Sequence, residues 1–354
     1  MAKWEGVKNV FEKQPECLQG GEDNIIGSED CLFLKIYTTV LPKEQKKLPV
    51  MVWIYGGAFF AGYPNFTRHS PDLLLDQDVI IVGLHYRVGI FGFLSTGDLV
   101  VPGNNGLKDQ ILGLRWIKEN IERFGGDPDN ITIFGQSAGS ASIGYLLQTP
   151  QTKDILRIVL ATYDLQPSRL VPIDMNIPNI LIRSSVGRQI KTQYFGSRLI
   201  ATSNFEVMEF ISNDQFARPI QETARLYSKY NPVYFYRFSH EGPLFGVSNR
   251  NFPGVGHTED LGYIFDYGYQ GSEVDYLVRS QMVKLWTNFA KTGNPTPEYD
   301  PLLQGIQWPL LTENNLDYLE IDRGLQALTK PDFLTSSFWK TLYNRNGNPP
   351  YGTY

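Results

Sequence analysis

The chain has 354 residues, 42% of them hydrophobic and 19% charged, with a formal net charge of −5 and a pI near 5.5. Such a length can bury a large core, while the acidic balance and the lack of long Lys/Arg runs leave no basis for a nucleic-acid partner. No apolar stretch reaches roughly 18 residues, so no membrane span is expected.

The opening stretch, Met1 to Lys8, lacks the apolar h-region of a signal peptide. Cys17 and Cys31 are the only cysteines. Their spacing alone is open between a bridge and two buried thiols; a bridge would close a loop of about 15 residues and add roughly 3 kcal/mol. Residues 31–37 and 50–55 read as strands, the second apolar throughout and ending at glycines. Asn65-Phe66-Thr67 is a surface-loop glycosylation acceptor, whereas Asn130-Ile131-Thr132 introduces a strand and is too buried to be modified. A strand at 79–84 and a helix at 109–124 follow, the helix with Leu114, Ile117, Ile121 and Phe124 on one face and Gly125-Gly126-Asp127-Pro128 as its stop. Residues 131–134 form the next strand.

The second half is more helical. Residues 233–238 read as a strand, and Val278, Met282, Leu285 and Phe289 share the face of a helix stopped by Gly293-Asn294-Pro295. Apolar strands alternating with helices imply a mostly parallel sheet covered on both faces. The expectation is one α/β domain over residues 1–354.

Gly135-Gln136-Ser137-Ala138-Gly139 lies between a strand and a helix. Such a string is weak evidence in a glycine-rich chain; the context gives it meaning. A nucleophile elbow needs a strained serine at a strand-to-helix turn, with small neighbours where side chains would collide. Tyr55-Gly56-Gly57-Ala58-Phe59 also ends a strand, and its small residues let backbone N–H groups approach a developing oxyanion. The order nucleophile, acid, base places the base late in the chain. Of the four histidines, His69 and His85 precede Ser137. His240 and His257 remain, and elimination favours His257, in a glycine loop followed by Glu259 and Asp260.

Longer signatures run in order along the chain. They include Ser28-Glu-Asp-Cys-Leu-Phe-Leu34, Val52-Trp-Ile-Tyr-Gly-Gly-Ala-Phe59 and Tyr86-Arg-Val-Gly-Ile-Phe-Gly-Phe-Leu94. Gly103-Asn-Asn-Gly-Leu-Lys-Asp-Gln110, Phe124-Gly-Gly-Asp-Pro128, Gly254-Val-Gly-His257 and Leu285-Trp-Thr-Asn-Phe-Ala-Lys-Thr-Gly-Asn-Pro295 continue the series. In these the chain resembles the type B carboxylesterase/cholinesterase family. The resemblance implies an α/β-hydrolase fold, with Ser137 as nucleophile, His257 as base and the amides of Gly57, Ala58 and Ala138 as oxyanion donors. Ala58 stands where many relatives carry glycine, which narrows the pocket mouth by a methyl group. Cys17 and Cys31 match the family's first disulfide, and the resemblance implies a secreted protein.

The pattern departs from the family in two places: an N-terminal segment and an internal one near residues 152–170 look absent. The internal loss would remove a core strand beyond the elbow, much of the helical cap and the acidic triad residue. Two substitutes remain: Asp164, which follows the apolar run 155–161 and preserves the order serine, acid, histidine, and Glu241, which like the family's acid precedes a glycine but sits in a different family segment.

The implied activity is carboxylic ester hydrolysis through a serine acyl-enzyme. The implied partner is a small apolar ester, with no metal or organic cofactor. The Cys17–Cys31 loop has no Trp for a quaternary ammonium, and Gln136 resembles juvenile-hormone esterases. The rival expectation is an impaired or inactive relative, a binding module or truncated product, because the acid is missing.

Overall fold

A computed structural model describes residues 14–21, 24–40, 47–64, 66, 70–148, 167–200, 204–247, 253–312, 315–329 and 336–349. Asn65 and Asp164 lie outside the described residues.

A short hairpin, β1 (Gln19–Gly21) and β2 (Asn24–Ile26), opens the described chain. It is closed off by a disulfide between Cys17 and Cys31. The main sheet follows: β3 (Leu34–Tyr37), β4 (Leu48–Ile54), β5 (Ile80–Leu84) and β6 (Gly126–Gly135), in the order β3-β5-β4-β6. Strand β4 runs parallel to β5 and β6, and β3 is the antiparallel edge. The expected parallel unit is therefore present as β5-β4-β6. Residues 50–54 and 80–84 are apolar apart from Gly83, and every one is buried, as a strand covered on both faces requires. In the β4–β6 ladder the register shifts between Leu48 and Val50, so β6 starts earlier than the apolar run 131–134 indicated.

Helices α1 (Asp72–Leu75), α2 (Gly89–Phe93), α3 (Asn105–Asn120) and α4 (Ala138–Gln148) flank these strands. The helix expected to reach Phe124 tightens into a 3₁₀ turn over Ile121–Phe124. Three residues per turn replace 3.6, so Ile117 and Ile121 are buried while Phe124 swings outward to 38% exposed.

The second half contributes α5 (Ile180–Phe195), α6 (Asn204–Ile211), a π-helical turn at Ser212–Ala217 and α7 (Arg218–Tyr227). Then come β7 (Tyr236–Phe238), α8 (Glu273–Thr292), β8 (Asp317–Ile321), β9 (Leu325–Thr329) and α9 (Ser336–Asn346). Strands β7, β8 and β9 form a second sheet, parallel between β7 and β8 and antiparallel between β8 and β9. A Ser272–Asp275 capping box starts α8, and Gly293 in the left-handed region ends it. Val278, Met282 and Leu285 are buried as their period predicts, but Phe289 is half-exposed and Ala290 takes the inner position. A 3.5-residue pattern drifts around a 3.6-residue helix, and by the fourth position the drift decides the face.

One apolar core joins both sheets to α8; a second joins α5, α6, α9 and the turns at Pro167–Leu170 and Ile173–Met175. Among the described residues, no strand pairs with the outer edge of β6 or with the free edge of β7.

Candidate active site

Strand β6 delivers the chain to Ser137, whose φ of +54° lies in the left-handed region that an L-residue avoids. The strain is held by the surrounding packing. Gln136 N–H donates to the Ile54 carbonyl, and helix α4 starts at once, with Ala141 N–H donating to the Ser137 carbonyl. Gly139 sits so close to β4 that a Cβ there would stand 2.0 Å from the Ile54 oxygen. The elbow expected from the sequence is thus formed, and its second glycine is required by contact with the neighbouring strand.

The second glycine-rich turn leaves the end of β4 beside it. Gly57 has φ +122°, and Ala58 and Phe59 follow at +53° and +63°. The turn is fixed by Phe60 and Ala61 N–H groups donating to the Gly57 carbonyl, and by Gly89 N–H donating to the Phe59 carbonyl. Among the described residues, the N–H groups of Gly57, Ala58 and Ala138 donate to no protein acceptor. They are free donors at the two turns that flank the serine, as an oxyanion site requires.

Behind these turns Tyr55 and Tyr86 stack at 4.3 Å and exchange hydrogen bonds, each hydroxyl donating at 2.7 Å to the other residue's carbonyl. Burial raises the pKa of both phenols well above the ordinary tyrosine value, so they remain neutral donors. Next to them Asp109 accepts from the Arg87 guanidinium through both oxygens, at 2.7 and 2.8 Å, and from the Arg87 amide at 3.1 Å. This clamp ties α3 to the end of β5. Gln110 then donates to the Ser142 hydroxyl, which in turn donates to the Ala138 carbonyl, so the floor of the elbow is hydrogen-bonded to α3.

His257 is brought to the elbow from a distant part of the chain. Its Nε2 lies 3.5 Å from Gln136 Nε2, and its ring meets Phe216 of the π-helical turn at 5.4 Å. The imidazole is exposed, and Ser137 makes no direct hydrogen bond to it. The loop is anchored on both sides by carboxylates: Glu241 accepts from Gly254 N–H at 2.6 Å and Glu259 from Gly256 N–H at 2.7 Å. Glu241 therefore holds the loop backbone, and no hydrogen bond joins it to the His257 ring. Asp260, in the 3₁₀ turn Glu259–Tyr263, accepts from the Tyr236 hydroxyl at 3.3 Å, and burial raises its carboxyl above the ordinary aspartate range.

His240 stands elsewhere. It is buried, its Nε2 is 2.7 Å from Asp275 Oδ1, and its ring packs edge-on against Tyr263. That arrangement ties the end of β7 to the cap of α8, a structural duty. No cluster of three or more His, Cys, Asp or Glu able to hold a metal occurs among the described residues.

Two of the neighbours of His257 were not legible beforehand. Phe216 comes from a helix with no local sign of proximity. Asp260 was visible only as an acidic residue three positions after the histidine.

Comparison with known proteins agrees with this geometry. Residues 1–162 and 165–339 match the profile of the carboxylesterase family. The bile salt-activated lipase of Mus musculus is 45% identical over 167 residues, 44% of this chain and 27% of that protein. The chain thus spans about a quarter of that relative's length. The medium-chain fatty acyl-CoA hydrolase precursor of Anas platyrhynchos is 26% identical over 475 residues, covering 96% of this chain and 83% of its own. Among solved structures, juvenile hormone esterase from Manduca sexta, with OTFP covalently attached, superposes with a TM-score of 0.79 at 21% identity. That superposition covers 97% of this chain and 91% of the esterase, and shows the α/β-hydrolase fold.

Proposed function

The chain belongs to the carboxylesterase family, and from that premise we propose that it hydrolyses small apolar carboxylic esters through an acyl-enzyme on Ser137. The observation that carries the reading is the strained serine at φ +54° between two turns whose amides are unspent. Ser137 Oγ adds to the ester carbonyl carbon while its proton passes to His257 Nε2. The carbonyl oxygen becomes an oxyanion held by the N–H groups of Gly57, Ala58 and Ala138. As the tetrahedral species collapses, the C–O bond to the alcohol breaks and the imidazolium returns its proton to the leaving oxygen. Water then repeats the addition at the acyl carbon, with His257 again taking the proton, and the carboxylic acid leaves as Ser137 is restored.

The Cys17–Cys31 bridge supports a secreted protein, since such bonds persist in oxidising compartments. In that setting Asn65 would carry glycan. The chain acts as one domain over residues 1–354.

A fluorophosphonate probe tests the nucleophile: it should label Ser137, and Ser137→Ala should abolish labelling. Label that persists in the alanine variant would remove Ser137 from the reaction.

A second reading is favoured by one specific observation. No carboxylate is hydrogen-bonded to the His257 ring among the described residues, and on this reading the chain would be an impaired esterase or a binding module derived from one. Loss of the acid in a triad lowers kcat by about 10⁴-fold. Turnover of p-nitrophenyl butyrate no faster than that of Ser137→Ala would establish this second reading. Asp164→Asn belongs in the same assay, because a selective loss there would identify Asp164 as the acid.

A further inference from the structure

Three successive residues of the turn after β4, Gly57, Ala58 and Phe59, have φ of +122°, +53° and +63°. Only the first is glycine, and an alanine or phenylalanine in the left-handed region carries strain that its neighbours must hold. One side of the turn is tied by Gly89 N–H, which donates to the Phe59 carbonyl at 2.7 Å. The other side ends at Gly62. That residue folds back on the start of the turn so closely that a Cβ there would stand 2.4 Å from the Gly56 oxygen. Holding Gly62 therefore holds Gly56 and Gly57.

A side chain from a distant part of the sequence supplies that hold. Gln19 Oε1 accepts from Gly62 N–H at 2.7 Å, and Gln19 Nε2 donates to the Gly62 carbonyl at 3.2 Å. One carboxamide thus satisfies both backbone groups of one residue. Gln19 is fixed in its turn. Its Nε2 also donates to the carbonyl of disulfide-bonded Cys17 at 3.0 Å, and its backbone opens β1, paired with Ile26. We infer that Gln19 is a positioning residue for the amides of Gly57 and Ala58. The inference rests on the esterase reading, in which those amides hold the oxyanion. Such donors work only when they already point to where the charge develops, and a strained turn tied on one side alone can relax away from that aim. The oxyanion exists only once Ser137 Oγ has added to the carbonyl, so loosened donors lower kcat and leave KM nearly untouched.

Gln19→Met keeps the length of the side chain and removes both hydrogen bonds to Gly62. Turnover of p-nitrophenyl butyrate, counted per site titrated with a fluorophosphonate, should fall about tenfold in kcat, with KM unchanged within about twofold. A short alkyl trifluoromethyl ketone, to which Ser137 adds as its proton passes to His257, forms the same oxyanion, and its affinity should fall about tenfold as well. Hydrogen exchange reads the turn directly. The Phe60 and Ala61 amides, which donate to the Gly57 carbonyl, and the Gly62 amide should exchange faster in Gln19→Met, while β5 keeps its protection. Gln19→Glu, which can still accept from Gly62 N–H but cannot donate, should shift kcat and exchange in the same direction, and it replaces Gln19→Met if that variant does not fold. An unchanged kcat per titrated site overturns the inference, because a role confined to stability lowers only the number of sites. Unaltered exchange over residues 57–62 overturns it equally. If the wild-type protein neither labels nor turns over, the esterase reading fails on its own, and exchange over residues 57–62 still decides whether Gln19 holds the turn.

Discussion

His85 is 3% exposed, and neither ring nitrogen finds a hydrogen-bond partner among the described residues. It follows β5 and meets Phe33 edge-on at 6.3 Å. Burial, with a smaller push from Lys35, lowers its pKa from 6.5 to about 4. The folded protein therefore binds a proton here less readily than the unfolded chain. The neutral ring contributes its full stability above about pH 6.5, and that contribution drains away as the pH falls towards 4, for a total of about 3 kcal/mol. Urea unfolding of His85→Leu should show a shallower loss of stability across that window than the wild type. Parallel pH profiles for the two proteins would mean that His85 is solvated. From the sequence His85 was set aside because it precedes Ser137. Its burial and lack of partners depend on which elements cover the end of β5, and no local pattern reports that.

At the scale of elements, the β1–β2 hairpin acts on the turn that carries Gly57 and Ala58. Gln19 Oε1 accepts from Gly62 N–H at 2.7 Å, and Gln19 Nε2 donates to the Gly62 carbonyl at 3.2 Å. Gly62 lies at φ +122°, one residue beyond Ala61, whose N–H closes the turn on Gly57. The disulfide thus fixes a hairpin that grips the far side of the turn carrying Gly57 and Ala58. Replacing both cysteines by serine should cost about 3 kcal/mol in urea unfolding, from loop entropy restored to the unfolded chain. A loss near zero would show that the hairpin is held by its packing alone. Strand lengths show how far local pattern carries. The run 233–238 is apolar and aromatic, yet only Tyr236–Phe238 joins β8. Tyr234 makes an isolated bridge to Leu310, and the Phe235 carbonyl accepts from the Trp308 indole. Partners distant in the chain decide where that strand begins.

For the molecule as a whole, the second core is held by a charged hub. Arg218, at the start of α7, lies 3.4 Å from Asp174 and 3.3 Å from Asp214, with its guanidinium 4.8 Å from the Tyr343 ring. The Tyr343 hydroxyl donates to Asp174 at 2.7 Å. One cation thereby joins the turn at Ile173–Met175, the π-helical turn and α9. The same π-helical turn carries Phe216 to His257, so this core positions a wall of the candidate site. Removing one partner of a buried ion network leaves the others uncompensated. Arg218→Met should therefore destabilise by about 3 kcal/mol, read from the urea unfolding midpoint by tryptophan fluorescence. An unaltered midpoint would show that packing around Trp339 and Phe195 suffices without the cation.

The sequence by itself determined the glycine-flanked turn at Ser137, the turn at Gly57 and Ala58, and the buried parallel strands. Each of these rests on chemistry that neighbouring residues impose on one another: a glycine where a Cβ would strike a strand, and an apolar run where both faces are covered. Tertiary structure decided what those pieces meet. Glu241, a candidate acid because a glycine follows it, proved to hold the backbone of Gly254, and Asp260 came to accept from the Tyr236 hydroxyl. His240 was taken up by Asp275, and the π-helical turn set Phe216 against the imidazole. These outcomes join residues from separate elements, and the free energy that selects them comes from burial and charge pairing across the folded chain. A linear pattern records each partner's chemical type but not the distance between them.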